Sequence, residues 1–268
     1  MSAIGAQQVK ELREATGAGM MDCKRALQET AGDFDAARTL LRERGMAQAG
    51  KRAGRETSEG KVDLRTLSSV GTIAAVGCET EPVSNTGEFL AFAERVLDVV
   101  ESGGADAVQE LEAERTALIA KIGENVVVRG AARLEARDGE HFGHYVHTPA
   151  KKIGVLVKVR GGSGESARRL AMHVASAAPS WARREDVPAE LVEAERSVYL
   201  GSDEVQSKPE QAREKIVEGM LGKRFFGAYP GGVLLDQAWI HDSGSTVARA
   251  LEQEGMELVE FVRYSVSE

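Results

Sequence analysis

Two short apolar runs constrain this chain more than any other feature: Gly71-Thr72-Ile73-Ala74-Ala75-Val76 and Ile153-Gly154-Val155-Leu156-Val157-Lys158-Val159. Each reads as a buried strand, and each is followed by a loop and then a helix with one apolar face. After the first run comes a polar loop from Cys78 to Gly87, then Phe89, Phe92, Ala93, Val96, Leu97 and Val100 on one helical face, with Gly103-Gly104 as the stop. After the second comes a Gly-rich loop, then Leu170, Val174 and Ala177 at helical spacing. One strand-loop-helix order recurring in this way predicts an α+β core of two related halves. Alternation from Val126 to Leu134 and from Phe142 to Val146, with the turn dipeptide Asp138-Gly139 between them, predicts an antiparallel pair completing the first half. A further helix is expected across Ala107 to Ile122, and the chain closes with a helix from Val247 to Leu251 and a strand from Leu258 to Val266.

Three short helices are expected ahead of this core. Val9, Leu12 and Ala15 make one stripe, Thr16-Gly17-Ala18-Gly19 a tight turn, and Met21, Ala26 and Leu27 a second stripe. Gly32 stops that helix, Asp33 is placed to cap the next, and Phe34, Ala37, Leu40 and Leu41 form its buried face, with Gly45 as the exit. A unit this small is near the lower limit for independent stability, and its remaining apolar surface favours docking. The expected boundaries are a three-helix domain over 1–45, a linker over 46–61, a first core half over 62–146 and a second over 147–268. Within the linker, Gly45 followed by Gly50-Lys51 imitates a phosphate-binding loop. Arg52 stands where a Ser or Thr would hold Mg²⁺, and the preceding segment reads as helix where a strand is required.

The second half carries an insertion. Val187, Leu191, Ala194 and Val198, then Ala212, Ile216 and Met220, predict two antiparallel helices over 187–226, with Pro188 and Pro209 at their first turns. Such a hairpin, or coiled-coil arm, is either packed or a protruding contact surface.

Composition and the absence of several motifs exclude a number of function classes. With 42 acidic against 34 basic residues, the net charge of −8 opposes condensation on a phosphate backbone, so no direct nucleic-acid partner is expected. No run approaches the ~20 apolar residues that span a bilayer, and Met1 to Lys10 lacks a signal peptide's apolar region, so a cytoplasmic protein without a membrane partner is expected. Cys23 and Cys78 are read as a reduced, buried pair. His141, His144 and His147 invite a metal, but on a strand His144 faces away from the other two, and no metal site is expected. His173, on an apolar helix, is read as a packed histidine with its hydrogen bonds satisfied. No nucleophile elbow, paired-Cys metal pattern or zinc-protease helix occurs, so neither covalent chemistry nor a cofactor is expected.

The run Val9-Lys10-Glu11-Leu12-Arg13-Glu14, then Thr16-Gly17-Ala18-Gly19-Met20-Met21-Asp22-Cys23-Lys24, resembles bacterial elongation factor Ts. Gly32-Asp33-Phe34-Asp35, Cys78-Glu79-Thr80, Ala171-Met172-His173-Val174-Ala175, Glu185-Asp186-Val187-Pro188, Lys208-Pro209-Glu210 and Phe261-Val262-Arg263 follow in the family's order, so the resemblance covers nearly the whole chain. It implies a ubiquitin-associated-like (UBA-like) first domain, a core of two α+β halves with antiparallel sheets, and a helical-hairpin arm. It further implies a guanine-nucleotide exchange factor for elongation factor Tu, meeting that GTPase in its GDP-bound and nucleotide-free states, with the arm as a surface for a higher-order heteromer. Such a factor needs only to bind the nucleotide-free GTPase better than the GDP-bound one, because linkage then weakens GDP.

The contact residues implied are Arg13, Met20, Met21 and Lys24 in the first domain, with Met21 as a core residue of that domain as the competing reading. Where the family usually has Thr-Asp-Phe-Val, this chain has Thr80-Glu81-Pro82-Val83. Glu81 keeps the charge that disturbs Mg²⁺, whereas Pro82 loses the aromatic wedge. Ser84-Asn85-Thr86 also lacks the family's basic residue. His147, Ile240 and His241 match contact segments further along. Pro82 keeps a second possibility open: a divergent paralogue that binds a translational GTPase without efficient exchange.

Overall fold

The structure, a computed structural model, describes residues 4–267. Residues 1–3 of the expected first domain, the last residue, 268, and the side chain of Gln48 lie outside that description. The fold is α+β. It begins with α1 (Ala6–Thr16), α2 (Met20–Glu29) and α3 (Phe34–Arg52). These close on Val9, Leu12, Cys23, Ala26, Leu27, Ala37 and Leu41. Gly17 ends α1 at φ 68°, a left-handed conformation that costs a residue with a Cβ. The Asp33 carboxylate accepts from the Ala36 amide at 2.9 Å and caps α3.

Gly45 does not end α3, which runs on to Arg52. A Cβ at Gly45 would come within 2.8 Å of the Ala120 methyl, so this glycine serves close helix packing where an exit was expected. The phosphate-loop imitation therefore lies inside a continuous helix whose amides are already engaged, and it offers no anion cradle.

The first sheet has the order β1-β2-β3, built from β1 (Glu59–Thr66), β2 (Val70–Cys78) and β3 (Val126–Glu135), all antiparallel. The sequence reading missed β1, which starts inside the expected linker and is only partly buried. Between β2 and β3 come α4 (Glu81–Ser84), α5 (Gly87–Gly103), a 3₁₀ segment Ala105–Leu111 and α6 (Glu112–Ile122). The Cys78–Gly87 segment, read as loop, thus contains one helical turn.

The second sheet is formed by β4 (Glu140–Val146) and β5 (Ile153–Gly161) with the last strand of the chain. The elements between β5 and that strand are α7 (Gly164–Ala177), α8 (Ala189–Gly201), α9 (Asp203–Gln206) and α10 (Glu210–Met220). They continue with the hairpin β6 (Ala238–Trp239) and β7 (Asp242–Thr246), then α11 (Val247–Gln253) and β8 (Met256–Ser265). Here the expected pairing is corrected: β3 and β4 do not form a hairpin but join different sheets, β3 on β2 and β4 on β5. The reason is that β2 and β5 are buried along most of their length and need a neighbour on each edge. A β3–β4 hairpin would leave those edges unpaired.

Alternation along the central strands separates three apolar layers. Ala74, Val76 and Cys78 face Phe89, Val96 and Ile119 of α5 and α6, and Val155, Val157 and Val159 face Leu170 and Val174 of α7. The opposite faces, Ile73 and Ala75 with Leu156, meet each other together with Val62, Leu134 and Val266. The sheets thus pack face to face under two helical covers.

The hairpin arm forms, but the expected face of α8 is wrong by one residue, a rotation of about 100°. Leu191 and Val198 are 44% and 65% exposed, and Ala194 is exposed too. Val192 and Tyr199 pack instead on Val217, Met220 and Leu221, while Arg196 on the same face pairs with Glu218 of α10. Tyr199 offers more area than any residue of the predicted stripe, and the Arg196 pair fits only this rotation. Among the described residues no helix is long and apolar enough to cross a membrane.

Face-to-face packing at this spacing depends on glycine. A Cβ at Gly71 would lie 2.9 Å from Leu156 Cδ2, and one at Gly154 would overlap Val62 Cγ1. Gly154→Ala is expected to lose about 1–3 kcal/mol of stability, with part of the loss recovered in the Gly154→Ala/Val62→Ala pair. Urea unfolding of the two variants checks this.

Candidate functional site

The residues singled out from sequence lie in the first domain, at α4 and in the second half of the core. In the first domain Met20 and Met21 open α2 and are 58% and 62% exposed. Met21 is therefore not a core residue, and the buried side of α2 consists of Cys23, Ala26 and Leu27. Arg13, in the last turn of α1, and Lys24, one turn into α2, are exposed as well. Two exposed methionines at the start of α2 thus lie close in sequence to the exposed cations Arg13 and Lys24. Burial raises the Cys23 thiol pKa, which keeps this cysteine a neutral part of the packing beneath them.

The turn before α2 leans on the core. A Cβ at Gly17 would meet the Lys121 side chain at 2.9 Å, and Lys121 Nζ pairs with Glu88 at 3.2 Å. Glu88 lies in the first turn of α5, immediately after α4. Lys121 thus lies between the α1–α2 turn and the first turn of α5.

Glu81 and Pro82 are exposed in α4, while Val83 packs on the first core layer and Ser84 is buried. Pro82 sits in the first turn, where a missing amide breaks no helical hydrogen bond. Thr80 precedes the helix but does not cap it with its side chain. Its N–H donates to Glu124 Oε2 at 3.0 Å and its hydroxyl to Glu124 Oε1 at 2.6 Å. Next to it, the Glu79 carboxylate accepts from the Asn125 amide at 2.7 Å and pairs with Arg55 at 3.3 Å. Asn125 Nδ2 donates to the Arg55 carbonyl at 2.9 Å, and the Cys78 thiol donates to the Thr80 carbonyl at 3.3 Å. Burial, with the Glu124 charge in support, pushes the Cys78 thiol up to about 11, so it remains a donor. Neither cysteine is in a disulfide.

The remaining residues lie in the second half, His147 at the end of β4 and Ile240-His241 on the separate β6–β7 hairpin. His147, just past β4, is exposed and its Nδ1 shares a 2.9 Å hydrogen bond with the Tyr145 hydroxyl. Ile240, 40% exposed, and the exposed His241 form the turn between β6 and β7. That turn is held from below by a buried histidine. The Ile240 amide donates to His173 Nδ1 at 3.3 Å, which leaves Nε2 protonated and donating to Gln237 Oε1 at 3.0 Å. Gln237 Nε2 donates in turn to the Ala228 and Gly231 carbonyls. The His173 ring stacks on Trp239 at 5.1 Å, His241 meets the other edge of this stack at 4.8 Å, and His241 Nε2 lies 3.1 Å from the Arg169 carbonyl. His173 is the packed, satisfied histidine expected from sequence.

Among the described residues no group of three or more His, Cys, Asp or Glu is arranged to hold a metal ion. His141 is half-buried and His144 exposed, on opposite faces of β4. The residues that sequence reasoning missed are Glu124, Asn125 and Gln237. They follow a helix stop or sit in a loop, and nothing in their spacing announces a partner more than forty residues away.

The His173 network makes stability pH-dependent. Burial pushes His173 down to about 4, while the unfolded imidazole titrates near 6.5, so the unfolded chain binds the extra proton between these values. This contribution is complete above about pH 6.5, falls by about 1.4 kcal/mol per unit through the window, and levels off below about pH 4 after a loss of about 3 kcal/mol. Urea midpoints of the wild type and His173→Gln across that window are expected to converge as the pH drops.

A family model described as "Elongation factor TS" matches residues 79–268. The chain is 40% identical over 279 residues to elongation factor Ts of Aeromonas hydrophila subsp. hydrophila, covering 100% of this chain and 92% of that protein. It is 40% identical over 276 residues to elongation factor Ts of Idiomarina loihiensis, covering 99% and 92%. Against elongation factor Ts of Serratia proteamaculans it is 40% identical over 272 residues, covering 100% and 93%.

Proposed function

The chain belongs to the elongation factor Ts family, and from that premise we propose that it is a cytoplasmic guanine-nucleotide exchange factor for elongation factor Tu in translation elongation. It carries out no covalent chemistry of its own. By linkage, a protein that binds the nucleotide-free GTPase more tightly than the GDP-bound form lowers GDP affinity by the same factor. The work is differential binding, distributed over three contacts.

The observation that carries this reading is an exposed carboxylate, Glu81, on a helical turn whose last two residues are anchored: Val83 packs on the core and Ser84 is buried. A carboxylate fixed at such a point disturbs the Mg²⁺ and phosphate-loop region of a docked GTPase without being drawn back into its own protein. Met20 and Met21, with Arg13 and Lys24 beside them, form the gripping contact in the first domain, and Thr80, Pro82 and Val83 flank Glu81. His147, Ile240 and His241 supply the contact of the second half. The outward row of Leu191, Ala194 and Val198 on the arm supports a higher-order heteromer.

Pro82 favours a second reading, a divergent member that holds a translational GTPase without efficient exchange, because a proline offers far less wedge area than an aromatic ring. Release of a fluorescent GDP from the cognate elongation factor Tu, followed across Mg²⁺ concentrations, separates the two. The wild type is expected to accelerate release, and Glu81→Ala to lose about tenfold of that acceleration. Binding without acceleration by the wild type, together with acceleration by Pro82→Phe, would establish the second reading in its place. Met20→Ala/Met21→Ala is expected to weaken binding by at least about tenfold while leaving release at saturating factor nearly unchanged.

A further inference from the structure

We propose that Glu124 is a positioning residue for exchange: together with Asn125 it clamps Glu79 and Thr80 and thereby fixes the direction in which α4 presents Glu81. The inference rests on the exchange reading above and adds to it a residue outside the contact surface.

Thr80 is held by a distant carboxylate and not by its own helix. It occupies the position before the first turn of α4, where a threonine hydroxyl ordinarily accepts from an amide of that turn. No such hydrogen bond is made here. The hydroxyl and the N–H both point to the carboxylate of Glu124, at 2.6 Å and 3.0 Å. A local cap would stabilise the turn and leave it free to swing as a unit. A bond to the α6–β3 junction, 44 residues away in sequence, fixes the turn relative to the core instead.

The second clasp makes the arrangement directional. Glu79 accepts from the Asn125 amide at 2.7 Å, so two consecutive residues of one segment are bound to two consecutive residues of the other. Two points of attachment remove rotation about either one. All three bonds of the clamp end on a carboxylate, the stronger class of hydrogen bond. Gly123 makes the junction possible: it ends α6 at φ 79°, turning the chain so that Glu124 and Asn125 follow directly. Asn125 is itself buried, immediately precedes the buried Val126 that opens β3, and donates to the Arg55 carbonyl in the α3–β1 connection, so the clamp is anchored at the edge of the first core layer.

The consequence for exchange follows from geometry. Glu81 is joined to Thr80 by one planar peptide, so holding the Thr80 N–H and hydroxyl leaves the Glu81 backbone little freedom. A carboxylate that must meet a cation site on a partner gains when its orientation is set before docking, because less ordering is lost on binding.

The test compares Glu124→Ala, Glu124→Gln, Thr80→Val and the double variant Glu124→Ala/Thr80→Val, each in the full chain. Two readouts are used: stimulated GDP release as a function of factor concentration, and hydrogen exchange at the amides of Ser84, Asn85 and Thr86, which close α4 on the Thr80, Pro82 and Val83 carbonyls. Loss of the clamp is expected to lower maximal release about tenfold, with the half-saturating concentration changed by less than about threefold, and to speed exchange at those amides about tenfold. Glu124→Gln, which keeps an acceptor for one of the two Thr80 donors, is expected to recover part of both. The double variant is expected to be no worse than about twofold beyond Glu124→Ala, because both changes break the same bond.

Additive losses, a change confined to the half-saturating concentration, or unaltered amide exchange would each overturn the proposal. Thr80→Val keeps the side-chain shape and decides the matter if Glu124→Ala fails to fold. If the wild type itself leaves GDP release unchanged, the exchange reading falls, and the amide comparison still accepts or rejects the clamp.

Discussion

The contact between the two three-stranded sheets organises everything else in this protein. Ile73 and Leu156 come from the middle of the two central strands and are fully buried against each other's sheet with Val62 and Val266. Because side chains alternate along a strand, committing one face of β2 and β5 to this contact commits the other face to α5 and α7. The approach is close enough that Gly71 and Gly154 cannot carry a Cβ without displacing Leu156 or Val62. Two halves that each hold a three-stranded sheet and its covering helices are thereby packed into one body.

Those segments are shaped by buried polar groups more than by the apolar core. The Ile240-His241 turn belongs to a hairpin whose first strand is only two residues long, too short to define a conformation by its own ladder. His173 and Gln237 supply the definition from beneath, with every ring nitrogen and amide proton of the pair engaged. The four-residue helix α4 has the same problem, since a helix this short has no cooperative stability in water. Its start is held by the Glu124 carboxylate and its end by the buried Ser84. In both places a polar side chain from a distant part of the chain does what local propensity cannot.

This division explains what could be read from the sequence. Periodicity revealed the three first helices, the central strands, α5, α7 and the existence of the arm, because each follows from the alternation or the helical spacing of its own residues. The pairing of β3 with β2 and not with β4 was hidden, since it is decided by which strands need two neighbours. That information is spread over a chain length no local pattern covers. Gly45 misled for a related reason: glycine marks both helix ends and close helix packing, and only the presence of Ala120 opposite it tells them apart. On the arm, Leu191, Ala194 and Val198 fit the heptad spacing as well as Val192 and Tyr199 do. The Arg196–Glu218 pair and the larger ring of Tyr199 chose between two faces one residue apart. Of the site residues, Met20, Glu81 and Ile240 are exposed. The residues that hold them in place carry no local signature at all.

Pro82 is where these constraints meet. In the first turn of a helix its missing N–H costs nothing, because that amide has no helical acceptor in any residue. Its ring fixes φ near the value that a helix requires, so the turn that follows Glu81 loses conformations it would otherwise have had when unbound. Relative to an aromatic residue at the same place, proline gives up contact area and gains pre-organisation. The loss is felt only where a partner offers a cleft to fill, whereas the gain is felt wherever Glu81 must be held in one direction. Set between the Glu124 carboxylate before it and buried Ser84 after it, Pro82 is the third restraint on a single turn of helix, and that turn presents its charge from a fixed mount where an aromatic side chain would present a wedge.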